Sequence, residues 1–368
     1  MFRTRRARFI GASLTAAALS VAAAIPAQAA SGTGWRVVSA SHSGAAADAN
    51  GLVSVVAPAA DDAWAFGSNI VNFSAPGSPI AEHWNGTSWR DAALPAGLSG
   101  DIGAASAPTG SDVWAVSSQD GYVLYDNGTQ WSVAKQFPEP SGELPEELTG
   151  VTAFSPTNVW VFGGPGANPG FGTWHLQGTT WTQVTGAGDA ITAASALSPT
   201  DIWAFGADSN APDDIILHYD GSTWTQVTSP ALDNVQFYSS IVALSPTNVW
   251  ATGGIAGTTT VTYYLLHMNG TTWTRVKIPW AVSPGRMAPD GSGGLWMTAE
   301  TTGSTSNQVW VLHRTGAGKW SRTAIPASDF LSDIALVPGT TSLWGAGWTP
   351  TRSGTGSNAA IWAYGALP

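Results

Sequence analysis

The stretch Val151-Thr-Ala-Phe-Ser-Pro-Thr-Asn-Val-Trp160 recurs almost unchanged as Ile241-Val-Ala-Leu-Ser-Pro-Thr-Asn-Val-Trp250. Seven copies of this pattern run through the chain, each followed by Gly-rich sequence and a second signature such as Tyr219-Asp-Gly-Ser-Thr-Trp224. The tryptophans that end the first signature lie 43–50 residues apart: Trp64, Trp114, Trp160, Trp203, Trp250, Trp296 and Trp344. Those of the second signature are Trp35, Trp89, Trp131, Trp181, Trp224, Trp273 and Trp320. A repeat of this length has room for four short strands, the size of one β-propeller blade.

The local sequence of a repeat predicts where those four strands lie. The first strand is small and apolar, as in Ile191–Leu197, and Ser-Pro-Thr-Asn or Ser-Pro-Thr-Asp then forms a tight turn. The second strand carries the first tryptophan, and the third is typified by Ile215–Tyr219. Asn-Gly or Asp-Gly follows as a hairpin turn, before a fourth strand such as Trp224–Thr228. No segment has helical periodicity, so each repeat is expected to be an antiparallel four-stranded unit.

The two ends of the repeat array are complementary. The array begins with a lone fourth strand, Gly34–Val38, and ends with first, second and third strands only. We therefore expect the N-terminal strand to complete the last blade, which would remove the exposed edges of an open array. The prediction is an all-β, seven-bladed β-propeller of four-stranded antiparallel blades, forming a single domain over residues 30–368.

The repeats resemble known propeller families. Motifs such as Ser155-Pro-Thr-Asn-Val-Trp160 and His218-Tyr-Asp-Gly-Ser-Thr-Trp224 are similar to tandem repeats of secreted, Trp-rich actinobacterial propeller proteins. More broadly they resemble the kelch, galactose-oxidase central-domain and sialidase Asp-box propellers. The resemblance covers residues 35–368 and implies the fold, but it carries no catalytic residue across, because these families share little chemistry.

The N-terminal 29 residues have the features of a secretory signal peptide. Arg3, Arg5, Arg6 and Arg8 form a basic region, an apolar stretch follows, and Ala27-Gln-Ala29 is a small-x-small cleavage site. The sequence therefore predicts a secreted, extracellular protein with no membrane span after cleavage. Removing four of the 14 basic residues leaves a net charge of 10 − 24 = −14, which disfavours nucleic-acid partners. The Gly- and Thr-rich surface predicts a monomer.

Residues that recur in every repeat are interpreted as scaffold. Large rings at a repeated position are expected to pack between adjacent blades rather than bind sugar. Five histidines occupy one repeated position, three residues before the hairpin glycine: His83, His175, His218, His267 and His313. Equivalent positions on different blades are too far apart to share a metal ion, so a structural role is expected and no metal site is predicted. The Asp or Asn two residues before the first tryptophan is interpreted as a turn former.

Variable loops indicate the functional face. The connections between second and third strands, and between one repeat and the next, vary strongly in length and lie on one face of the disc. Residues there that break the repeat are the ligand-binding candidates, and none is assigned a catalytic role: Trp280, Trp348, Tyr238, Phe237, Phe330, Arg286, Arg352, Glu300 and Asp208. The longest loop contains Glu139, Glu143, Glu146 and Glu147, but no calcium-ligand spacing, so no cofactor is predicted.

Three classes of function fit these candidates. The first is a non-enzymatic binding module that recognises an extracellular glycan or protein through the variable face. The alternative is a polysaccharide hydrolase or lyase that uses Asp and Glu on the same face as acid and base. A structural or adhesive protein without a small-molecule site is the third. The absence of a catalytic motif favours the binding module.

Overall fold

The computed structural model describes a chain built from strands and turns. It describes residues 34–41, 48–70, 77–118, 120–137, 147–164, 171–186, 190–207, 213–302, 308–326, 329–351 and 354–366. The first half of its strands are β1 (Trp35–Ser41), β2 (Ala49–Ala59), β3 (Asp62–Ile70), β4 (Ser78–Trp84), β5 (Trp89–Asp91), β6 (Ile102–Thr109), β7 (Asp112–Ser117), β8 (Tyr122–Asp126), β9 (Trp131–Gln136), β10 (Leu148–Ser155), β11 (Asn158–Gly163), β12 (Thr173–Gln177), β13 (Thr180–Val184) and β14 (Ala193–Ser198). The second half are β15 (Asp201–Gly206), β16 (Ile215–Tyr219), β17 (Trp224–Val227), β18 (Phe237–Ser245), β19 (Asn248–Ala256), β20 (Val261–Asn269), β21 (Thr272–Lys277), β22 (Val282–Pro289), β23 (Leu295–Thr301), β24 (Val309–Arg314), β25 (Trp320–Ala324), β26 (Phe330–Leu336), β27 (Leu343–Pro350) and β28 (Ser357–Tyr364). Within those ranges there is no helix of the length and hydropathy that a membrane crossing requires.

The strands pair as antiparallel sheets in chain order. Five sheets have four strands each: β6–β9, β10–β13, β14–β17, β18–β21 and β22–β25. The predicted all-β fold of four-stranded antiparallel units is therefore confirmed. An eight-stranded sheet has the order β26-β27-β28-β2-β3-β4-β5, with β1 paired to β28. One parallel residue pair, Ala49 with Ser357, joins β2 to β28 within it.

The ends of the repeat array meet in the eight-stranded sheet. Strand β1 lies antiparallel to β28, from the pair Trp35–Tyr364 to the pair Ser41–Ala359. The Arg36 side chain donates a hydrogen bond to the carbonyl of Gly365 at 2.8 Å. The N-terminal strand thus lies beside the last strand of the chain, which is the pairing that the complementary ends predict.

The first strands of the repeats contact one another in a closed cycle. We number the repeat units 1 to 7 by their first tryptophans, so that β2, β6, β10, β14, β18, β22 and β26 are the first strands. Each contacts the next along the chain, and β26 also contacts β2. These strands therefore surround an axial opening, with the remaining strands of each unit outside them.

The hydrophobic core lies between neighbouring units. Trp160 and Phe162 of unit 3, for example, form one buried cluster with Ile202 and Leu217 of unit 4. First and second tryptophans meet across these junctions, as Trp64 does with Trp131 at 5.3 Å and 82° between ring planes. Others of this kind are Trp114–Trp181, Trp160–Trp224, Trp203–Trp273 and Trp344–Trp89. Edge-to-face packing of this type stabilises aromatic pairs beyond their buried area.

The repeated histidines are part of this scaffold. Each stacks on the first tryptophan of its own unit, with ring centroids 3.6–4.2 Å apart. The Nε2 atom of each is 2.9–3.0 Å from an Asp or Asn oxygen, as in His175 with Asn158 and His218 with Asp201. The Asp or Asn before the tryptophan therefore does more than form a turn, because it also holds the histidine. In unit 6, Gly294 occupies that position, and Asp290 supplies the carboxylate from the preceding turn.

A bulge shapes the end of the axial opening. The register of the first strand shifts by one residue near its start in at least six units, as between Leu331 and Asp333. In five units the residue three positions after the first tryptophan is a glycine. A Cβ on Gly67, Gly206 or Gly347 would lie 1.8–1.9 Å from a carbonyl oxygen of the first strand or of the segment just before it. These glycines are thus required by close backbone approach.

Candidate functional site

A cavity of about 370 Å³ opens where the first strands of units 4 to 7 begin. Its lining includes Thr192, which directly precedes β14, and Ser239, Gly285 and Ser332 of β18, β22 and β26. Because these strands surround the axis, the cavity is the mouth of the axial opening. We call it the channel-mouth cavity. It lies on the face that carries the connections of variable length.

Four of the candidate residues meet in this cavity. Tyr238, Arg286, Glu300 and Phe330 all line it, although they come from four strands in three repeat units. Phe205 adds a third ring, 5.7 Å from that of Tyr238. The cavity therefore combines aromatic surface, one basic and one acidic side chain, and several hydroxyl groups.

The remaining described candidates lie outside the cavity lining. Trp280 is half-buried, with the Arg322 guanidinium 5.0 Å from its ring centre and Trp320 edge-on at 6.2 Å. Phe237 packs over Gly254, where a Cβ would come within 2.3 Å of its ring. Trp348 lies opposite Phe330 on the neighbouring strand and stacks on it, with ring centroids 5.6 Å apart and 14° between the ring planes. Asp208 and Arg352 lie outside the described residues.

Arg286 occupies a position that is small in most units. This position lies two residues before the first-strand residue that pairs with the first tryptophan. In the other units it is occupied by Ser54, Ala104, Gly150, Ala193, Ser240 and Asp333. In unit 5 this side chain ties two units together, because the backbone N–H of Met287 donates to Ser240 Oγ at 3.0 Å. Arg286 instead has an exposed side chain, and its backbone N–H donates to Thr298 Oγ1 at 3.0 Å.

Asp333 is the charged neighbour of Arg286, and sequence reasoning missed it. It stands at the same position in unit 7, where its Oδ2 accepts a hydrogen bond from the Val55 N–H of unit 1 at 3.0 Å. Burial raises the pKa of Asp333, while the positive charge of Arg286 and the bond from Val55 act in the opposite direction. The signal that could have found it is the repeat alignment, because Asp333 and Arg286 are the two residues larger than serine at this position.

Tyr238 is a neutral side chain at this site. Burial is the main cause that raises its pKa above the ordinary value, and the negative charge of Asp214 adds to it. The backbone N–H of Tyr238 donates to Asp214 Oδ2 at 3.3 Å, which links the loop before β16 to the start of β18. The ring is therefore fixed by burial and by its backbone, and it presents apolar surface to the cavity.

A second cavity, of about 420 Å³, lies at the opposite end of the sheets. It is lined by turn residues of units 6 and 7, including Asp290, His313 and Ala317. Asp290 accepts hydrogen bonds from the N–H groups of Ser292 and Gly294, both at 2.7 Å, and it pairs with His313. The polar groups of this cavity are thus already engaged in the scaffold.

Metal ligands are not gathered at either cavity. Among the residues that the structure describes, no three His, Cys, Asp or Glu side chains are grouped so as to hold an ion. Of the acidic loop considered for calcium, Glu139, Glu143 and Glu146 lie outside the described residues.

Comparison with known proteins supports the fold. No protein-family model matches the chain, and no curated protein matches it significantly. Solved structures do: YCF48 bound to D1 peptide has a TM-score of 0.57, 12% identity, and coverage of 91% of this chain and 98% of its own. YCF48 from Cyanidioschyzon merolae has a TM-score of 0.55 and 14% identity, with coverage of 90% of this chain and 99% of its own. Kuenenia stuttgartiensis hydrazine synthase has a TM-score of 0.56 and 10% identity, with coverage of 84% of this chain and 95% of its own. These are β-propeller proteins, and at such low identity the similarity shows the fold alone. The chain is a β-propeller.

Proposed function

We propose that this protein is a non-enzymatic binding module that holds a segment of another polypeptide at the channel-mouth cavity. The observation that carries the proposal is the convergence of Tyr238, Arg286, Glu300 and Phe330 on one opening built by four first strands. A concave site on a rigid scaffold, in which aromatic surface and polar groups converge, is the usual form of a binding site.

A polypeptide is favoured over a glycan by the state of the tryptophans. Sugar binding of the predicted kind needs a free indole face, but Trp280 lies against Arg322 and Trp320. Trp348 stacks on Phe330 and is not among the residues that line the cavity. The solved structure of YCF48 with D1 peptide is an instance of a similar scaffold with a bound peptide.

The enzyme alternative has less support from the same geometry. Acid–base hydrolysis of a glycoside needs two carboxyl groups that both face the substrate. Glu300 lines the cavity, whereas Asp214 accepts the Tyr238 N–H, and Asp333 accepts the Val55 N–H and joins two repeat units. Asp333 therefore has a structural role, and it would have to give up this hydrogen bond to act as a catalytic acid.

The binding module that we propose has seven blades. Its eight-stranded sheet then consists of two blades, β2–β5 and β26–β28 with β1, which are joined by the single pair Ala49–Ser357. The closed cycle of contacts among seven first strands supports this division. We also propose that the protein is exported by the signal sequence in residues 1–29, which lie outside the described residues, and that it acts as a monomer.

The test is a selection of peptides on the purified protein, followed by rebinding to two matched variants. Ser332→Trp fills the channel-mouth cavity, and Ala317→Trp fills the cavity at the opposite end. We expect selected peptides to lose binding to Ser332→Trp and to keep it with Ala317→Trp. Peptides that ignore the Ser332 change, with both variants folded by circular dichroism, would show that the ligand binds elsewhere.

A further inference from the structure

The Arg286 guanidinium lines the channel-mouth cavity without a direct ion pair. Among the described residues, no carboxylate oxygen lies within the 4.0 Å that defines an ion pair with it. The Asp333 carboxyl group attracts the Arg286 guanidinium electrostatically, but Asp333 Oδ2 accepts a hydrogen bond from the Val55 N–H. The other described arginines form no ion pair either, but Arg286 is the arginine among them that lines this cavity. The five N–H donors of a guanidinium suit a planar carboxylate, which can accept two of them at once.

The surroundings of Arg286 restrict which anion fits. Glu300 lines the same cavity and Asp333 lies next to it, so a ligand with several negative charges would meet repulsion. A single carboxylate is large enough to use the guanidinium fork and carries only one charge. Phe330 and Tyr238 lie around the opening and offer apolar contact to the rest of such a ligand.

We infer that Arg286 binds one carboxylate of the docked polypeptide, either its C-terminal group or an acidic side chain, while Tyr238 and Phe330 pack against the neighbouring residue. This inference rests on the proposed function, since it names the chemistry that the same cavity recognises. It assigns Arg286 a role that none of the six equivalent residues in the other units performs.

The experiment uses small defined probes and nuclear magnetic resonance of the arginine Nε–H groups and backbone amides. The probes are acetyl-Gly-Phe with a free carboxylate, its C-terminal amide, and acetyl-Asp-Phe-amide. Arg286→Ser is the test variant, because serine is the natural residue at this position in units 1 and 5. Arg90→Ser is the matched control, since Arg90 is exposed on the outer strand β5.

We expect the carboxylate probe to shift the Nε–H resonance of Arg286 and the amides of Ser239 and Ser332, and the uncharged amide to shift them far less. Binding to Arg286→Ser should be about 10–100-fold weaker, as for loss of a charged hydrogen bond, whereas Arg90→Ser should bind like the parent. Comparison of acetyl-Gly-Phe with acetyl-Asp-Phe-amide shows whether Arg286 binds the terminal or the side-chain carboxylate.

The two proposals fail in different ways. If neither acetyl-Gly-Phe nor acetyl-Asp-Phe-amide shifts these resonances more than the uncharged amide does, or if Arg286→Ser binds both as the parent does, the carboxylate inference is overturned and peptide binding is left standing. Absence of any shift at the cavity would also overturn it. If, in addition, the selected peptides bind Ser332→Trp normally, the proposed function fails as well.

Discussion

The pairing of the N-terminal strand β1 with β28 gives a prediction that the chain is well suited to test. Ala40 of β1 lies opposite Ala360 of β28, about 320 positions away in sequence. The chain contains no cysteine, so the variant Ala40→Cys/Ala360→Cys would contain the only two thiols. Directly opposed strand residues have Cβ atoms about 4.5–5.5 Å apart, which is close to the separation that a disulfide needs.

The expected effect of this bridge is large because the loop that it closes is long. The chain-entropy relation for a loop of about 320 residues gives roughly 5–6 kcal/mol of stabilisation, while measured engineered bridges usually give about 2–4 kcal/mol. A domain of this size has an unfolding entropy of about 0.7 kcal/mol per degree near its midpoint. The oxidised form should therefore melt about 3–6 °C above the reduced form.

The assay combines thiol titration after mild oxidation with thermal unfolding in the presence and absence of reductant. Ala40→Cys/Asn358→Cys is the register control, because Asn358 lies two residues from the partner of Ala40 and a diagonal pair is about 7–8 Å apart. Failure of the first pair to bridge, equally efficient bridging by the control, or a lower melting temperature after oxidation would refute the pairing on which closure depends.

Three further predictions concern the strands around the channel mouth. Burial raises the pKa of Asp333, so its ionisation opposes folding as pH rises above about 4. The free energy of unfolding of Asp333→Asn, measured by urea titration, should therefore exceed that of the parent at pH 7, and the difference should shrink toward pH 4. Ser240→Ala leaves the buried Met287 N–H without its acceptor and should cost about 1–3 kcal/mol in urea unfolding, whereas Ser240→Thr, which keeps a hydroxyl, should cost less. Gly206→Ala should lower the melting temperature more than Gly178→Ala does. A Cβ at Gly206 would lie 1.8 Å from a carbonyl oxygen, whereas a Cβ at Gly178 meets nothing within 4 Å and is strained only by the positive φ.

Much of the fold could be predicted because its signals are local. Alternating strand residues, Asn-Gly hairpins and Ser-Pro-Thr-Asn turns indicate strand positions without knowledge of any distant contact. The third strand of unit 4, for example, is both predicted and observed at Ile215–Tyr219. The histidine bond to Asn158 was not predicted, because it depends on the register between β11 and β12, which places His175 opposite Trp160.

The candidate site was predictable only in part, because it forms between units. The search for residues that break the repeat selected Arg286, Glu300, Tyr238 and Phe330, which line one cavity. The same criterion also selected Trp280, whose neighbours Arg322 and Trp320 come from another strand. Sequence shows that a residue departs from the repeat, but whether it faces a cavity or its own unit depends on tertiary packing.

The central claim is that the channel mouth is the ligand-binding site, and a crystal structure of the protein with its tightest selected peptide tests it most directly. The account predicts peptide density between Thr192, Ser239 and Ser332, with a carboxylate about 2.7–3.2 Å from the Arg286 guanidinium. A peptide bound at the opposite cavity beside Asp290 and His313, or along an outer strand, would contradict it.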